Sequence, residues 1–290
     1  MDKKTAERMN LQVMKFMSSY GFYPAMKDRE EEILSIEDRL SNRLFRAQVG
    51  LESSFIQALR EKGYLPGNPA EQKALIDLIM EAPFEQMSEI ISEEGLVSAA
   101  TGRQLTADDI AEQGVEIALS EFSDQATEEL KNRIYTFSKD TFERIKGDFA
   151  GTLAAGFEEG VGIDEAARSL RADFSHLRDY RLRTIARTEV QGAQNEGIER
   201  TMQDYDVQYK QWLTVGDRRV RGRDSSDRYD HVSLHGEVVR RDERFSNGLM
   251  RPLDRSGPIG EWINCRCRMR PYLPKKNETI LTTPYYPMSA

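Results

Sequence analysis

Cysteine is almost absent from these 290 residues: Cys265 and Cys267 are the only two, and His176, His231 and His235 the only histidines. Two cysteines one residue apart are poor disulfide partners, because a bridge needs Cβ atoms facing each other at close range. The chain is therefore not a disulfide scaffold, and a reducing compartment keeps both residues as thiols or thiolates. Long apolar runs are missing too. No stretch approaches the roughly 20 residues that a membrane span requires, and the opening Met1-Asp-Lys-Lys-Thr-Ala-Glu-Arg8 lacks the apolar core of a secretory leader. Synthesis in a cytoplasm, with no membrane partner, is the expectation. Tandem repeats, low-complexity tracts, a Walker loop, a glycine-rich dinucleotide turn and a nucleophile elbow are all absent. That weighs against the common nucleotide-binding and serine-hydrolase classes.

What is present is charge, unevenly divided. Residues 1–177 hold 20 Lys+Arg against 33 Asp+Glu, whereas residues 178–276 hold 21 against 15. An acidic part is thus joined to a basic one, rich in arginine, that suits phosphate or an acidic protein surface. Internal salt bridges between the two parts explain the same split equally well.

Apolar spacing of three and four predicts helices through most of the chain. The first covers 2–19 and is ended by Gly21-Phe-Tyr-Pro24. A longer one runs from about Asp28 to Lys62, and Gly63 to Pro69 is a turn. A third covers about Ala70 to Ser92, with a bend near Pro83. Gly95 to Leu105 reads as irregular, followed by a capping box at Thr106-Ala-Asp-Asp109 and a long helix to about Phe157 with a break at Gly147 or Gly151. After the Gly160-Val-Gly162 turn come helices over Ile163–Phe174 and from Asp179 to about Tyr205. From Val207 the pattern changes. Val207–Val215 alternates as a strand should, and short strands are expected at Glu237–Val239 and Cys267–Tyr272, with turns at Asn247-Gly248 and across Arg255–Gly260. The fold class is mainly α: an elongated helical body with a small C-terminal α+β module.

The rare residues gather in that module. Cys265 and Cys267 offer thiolates and His231 an imidazole, with His235 or Asp217 as a fourth ligand of a structural zinc ion. The Cys-x-Cys gap is tighter than zinc motifs usually show. The plainer reading, preferred here, makes both cysteines small core residues and has His231 hydrogen-bond to backbone, with no cofactor. Arg218, Arg219, Arg221, Arg223 and Arg228 form the candidate surface for nucleic acid or an acidic partner. Asp217, Asp224, Asp227 and Asp230 dilute their charge. On the preceding helix, Arg187 and Glu189 are read as a structural pair joining helix to module through bidentate bonds, and Asn195 as a group that satisfies loop backbone. An acid–base role for Glu189 with His231 is the catalytic alternative.

In their order these segments resemble a known family. The Ala186-Arg-Thr-Glu189 helix with Asn195 and Gly197 is followed by the strand ending Trp212-Leu-Thr214 and an arginine loop opened by Asp217. Then come His231-x-x-Leu234-x-Gly236, Phe245, Pro252 and Ile263-Asn-Cys-Arg-Cys267. The series is similar to the phage Mu F-like head morphogenesis proteins over roughly Phe137 to Pro271. The loop from Asp217 to His231 is longer than in many members, so that either Arg221 or Arg228 matches the family's arginine before the histidine. The resemblance implies a non-enzymatic minor head protein of a tailed phage. It would locate to the virion after assembly in the host cytoplasm, with portal protein or major capsid protein as partner and contact with packaged DNA in some relatives. It divides the chain into an N-terminal helical region (1–136), the helical part of the family domain (137–205), the small basic module (206–274) and an extended tail (275–290). The stretch after Cys267 is too short for the toxin or enzyme domain that some members carry. The alternatives kept beside this reading are a DNA-binding internal head protein and a metal-dependent nucleic-acid hydrolase with His231, His235 and Asp217 as ligands.

Overall fold

The computed structural model describes residues 22–276 together with 278 and 280, with side chains described from Glu31 onward. The helix expected over 2–19 and most of the expected tail lie outside these residues. Helix α1 (Phe22–Ala47) starts earlier than its spacing suggests. Pro24 falls in its first turn, where a missing N–H costs no helical bond. The single helix expected up to Lys62 is two, because Gly50 adopts φ +87° and α2 (Leu51–Lys62) starts afresh behind it. Gly63, also left-handed, ends α2 by returning its N–H to Leu59 and Arg60.

Helix α3 (Pro69–Ala111) is capped by Asn68, whose side chain accepts the Glu71 amide at 2.9 Å. Its 43 residues span about 65 Å and pass through Pro83 and the region expected to be irregular. Thr106 is no cap: its hydroxyl donates to the Gly102 carbonyl at 2.9 Å in mid-helix. The glycines that suggested a break serve a close helix crossing instead. A Cβ on Gly102 would lie 2.2 Å from the Gln194 carbonyl oxygen, and one on Gly197 would lie 2.0 Å from that of Ala99. Two helix backbones approach there more closely than any side chain permits. The break lies further on, around Gly114 (φ +85°). Ser123 then caps α4 (Asp124–Glu158), accepting the Ala126 amide, and α4 runs unbroken through Gly147 and Gly151. Helix α5 (Ile163–His176) continues through a π-helical turn (Leu177–Arg181) into α6 (Leu182–Asp204). The helical core forms around α3, with Phe84 stacked on Phe142 at 4.7 Å and Phe55, Phe149 and Phe174 clustered beside them.

The module is a three-stranded antiparallel sheet in the order β2-β1-β3, from β1 (Tyr209–Leu213), β2 (Val238–Arg240) and β3 (Arg268–Tyr272), plus a one-turn helix α7 (Ile259–Trp262) that the spacing did not reveal. Trp212 pairs across with Met269, and Lys210 lies between Val239 and Pro271. The inward side chains of β1 build a separate small core with Val239, Phe245, Trp262 and the two cysteines. A seam of Ile110, Ile198, Met202, Val207 and Met269 joins module to body.

Candidate metal centre

His231 lies in the long loop between β1 and β2, fixed by hydrogen bonds from its own amide and that of Val232 to the Arg221 carbonyl. Arg221 in turn donates to the Ile263 carbonyl, tying this loop to the turn that carries the cysteines. That turn leaves α7 with the Cys265 amide bonded to the Trp262 carbonyl, and reverses at Asn264, a left-handed residue at φ +58°. Strand-like alternation then sends Cys265 and Cys267 inward and Arg266 toward Asp217.

The result is a buried cluster. His231 Nδ1 lies 3.5 Å from Cys265 Sγ and 3.6 Å from Cys267 Sγ. All three residues are at most 3% exposed, which removes solvent as a competing partner. The other ring nitrogen, Nε2, lies 2.7 Å from Glu261 Oε2. The plainer expectation for His231 is therefore corrected: its backbone bonds to backbone, but its ring is held between a carboxylate and two sulfurs. Trp212 packs edge-on to the ring at 5.4 Å. Among the described residues, His231, Cys265 and Cys267 are the group whose ligand atoms lie close enough to hold one ion. His235 and Asp217 are elsewhere. The His235 Nδ1 accepts from the Thr214 amide at 3.1 Å, and Asp217 pairs with Arg266 and Arg219.

The electrostatics follow from burial and contact. The bond from Cys267 draws the Cys265 thiol well below its ordinary pKa, with His231 adding to it, while the same bond and burial push Cys267 well above. Burial works against a charged His231, but Cys265 and Glu261 outweigh it and raise the ring to about 9. Glu261, which sequence reasoning missed, is a single acidic residue in the otherwise uncharged run Gly257-Pro-Ile-Gly-Glu-Trp-Ile263, and that contrast was its only signal.

Helix α6 fastens the module. Asn195 is fully buried, donating to the Cys267 carbonyl at 3.1 Å and accepting the Met269 amide at 2.9 Å. Thr188 accepts the Asn264 amide, and Arg187 donates to the Asn264 side chain at 2.8 Å. Arg187 does not pair with Glu189, two residues away and on another face. It pairs with Glu37 of α1, while Glu189 binds Arg255 of the module at 2.6 Å. Nor does Glu189 stand beside His231, where Glu261 is found instead.

Other module arginines also turn back to the body. Arg251 meets Glu196 and Glu199, and Arg268 meets Asp109. Part of the charge split is therefore internal pairing. Arg218, Arg219, Arg223 and Arg228 remain exposed and Arg221 is half-buried. Asp227 and Asp224 accept backbone amides within their loop and fold it on itself. Asp217 is held below the usual carboxylate range, the Arg266 and Arg219 contacts overcoming the cost of burial.

A mainly α body clasping a small arginine-rich module, itself closed around one histidine and a Cys-x-Cys pair, is the class of protein that this fold and site define. Residues 148–270 match the family described as phage Mu protein F like protein, and this region is similar to that family. The match runs from the later part of α4 into β3 and includes Asn195, His231, Glu261 and both cysteines. No curated protein and no solved structure matches the chain. Among the described residues, no helix is long and apolar enough to cross a membrane.

Proposed function

We propose that the protein is built into the phage head as a minor component. Its acidic helical body lies against portal or major capsid protein, and the exposed arginines between Asp217 and Asp230 face packaged DNA or an acidic neighbour. The observation that carries this reading is the head-morphogenesis family match over 148–270, on a region whose arginines divide into those bound to the body and those left on the surface. The long helices provide extended surface for assembly contacts.

Cross-linking of assembled procapsids, read by mass spectrometry, tests the partner. Lys73, Lys131 and Lys139, on the outer faces of α3 and α4, are expected to cross-link to portal or major capsid protein. Cross-links confined to copies of the chain itself would contradict the placement. The hydrolase reading draws less support, because its three proposed ligands, His231, His235 and Asp217, each have a different set of neighbours.

A further inference from the structure

Head assembly gives no reason for a histidine and two cysteines to meet in a dry core. We infer that Cys265 Sγ, Cys267 Sγ and His231 Nδ1 bind one thiophilic divalent ion of the zinc class, which staples the His231 loop to the α7–β3 turn and closes the module.

The spacing fits. With zinc–sulfur bonds of about 2.3 Å and zinc–nitrogen bonds of about 2.1 Å, tetrahedral ligands of the two kinds lie about 3.6 Å apart, against 3.5 and 3.6 Å here. A single ring nitrogen has one lone pair or one N–H and cannot align with two thiols at once. An ion between the three atoms satisfies all of them.

The surroundings fit as well. Glu261 on Nε2 fixes the tautomer that leaves Nδ1 as the donor, the usual carboxylate support for a metal-bound histidine. Two N–H groups are directed at the sulfurs. The Cys267 amide lies 3.4 Å from Cys265 Sγ. The indole N–H of Trp212, which is fully buried, is directed at Cys267 and meets no oxygen or nitrogen acceptor. Metal-bound thiolates keep negative charge and accept such donors, whereas neutral thiols accept weakly. The need is also plain, since the module's own apolar core is small and a metal site supplies folding energy that such a core lacks. Among the described residues these three side chains are the ligands that the chain provides.

The test is metal analysis of the full-length chain, purified without chelator and analysed by elemental and native mass spectrometry. About one zinc per chain is expected, and replacement by cobalt should give the near-ultraviolet charge-transfer band of thiolate ligation. Cys265→Ser and Cys267→Ser should each lose the metal. Because losing a cysteine also disturbs the core, Glu261→Gln is the companion variant. It should stay folded and still bind zinc, with affinity lowered about 10- to 100-fold. A folded, reduced chain that takes up no zinc and gives no cobalt–thiolate band would overturn the inference. So would a Cys265–Cys267 disulfide in freshly purified protein, or zinc retained undiminished by the double cysteine variant.

Discussion

Lys210 shows how far a single residue can depart from its usual surroundings. It is 1% exposed in the middle of β1, with its ammonium donating to the Arg241 and Met250 carbonyls at 2.9 and 2.6 Å and lying over the Phe245 ring. Burial pushes its pKa down to about 8 from an ordinary 10.5. Between those values the unfolded chain holds the proton and the folded chain has released it. The fold therefore gains stability from this group as pH rises through the window, on the order of 3 kcal/mol. Urea midpoints measured below and above the window should rise with pH more in the wild type than in Lys210→Met, and equal slopes would show that the lysine reaches water. At this scale the sequence was partly legible. The rarity of cysteine and histidine marked the three clustered residues, and Asn195 serves backbone as read. Glu261, the pairing of Arg187 with Glu37 and the separate place of His235 depend on how distant loops fold together, and no local spacing carries that.

Elements were legible where capping chemistry was local, as at Gly63 and the Gly160-Val-Gly162 turn, and misread where glycine had a second use. Gly95 and Gly102 looked like breakers, but they allow α3 to pass close to its neighbours. Gly50 and Gly114, which no local spacing singles out, end helices with their left-handed backbones. The distinction yields a prediction with opposite signs for one substitution. Gly102→Ala and Gly197→Ala push a methyl into a carbonyl of the facing helix and should each cost about 3 kcal/mol or more. Gly147→Ala and Gly151→Ala, in α4 with open space around them, should stabilise by about 0.5–1 kcal/mol. Chemical denaturation of the four variants checks both signs. A neutral Gly197→Ala would mean that the two helices do not approach as described.

For the whole molecule, the charge split has two components that the sequence could not separate. Arg251, Arg255 and Arg268 answer carboxylates of the body, whereas Arg218 and Arg228 face outward. If the outward group meets DNA, binding should weaken steeply as salt rises. Replacing Arg218 and Arg228 together by alanine should lower the slope of log K against log salt by about two. Binding that is absent at low salt would assign the loop to a protein surface instead. Acid should act on the same network. Asp254 is held below the usual carboxylate range by the Met250 and Ser256 amides despite its burial, and Glu94 by Arg39 and Arg43. Their stabilisation is complete above the ordinary carboxylate pKa and is lost as pH falls through the lowered values.

Quantitative mass spectrometry of purified particles, before and after release of their DNA, asks whether this chain is a component of the phage head. A limited and constant number of copies per particle is expected, either retained with the emptied head or leaving with the DNA. Absence from the filled particle would show that the chain is not a head component.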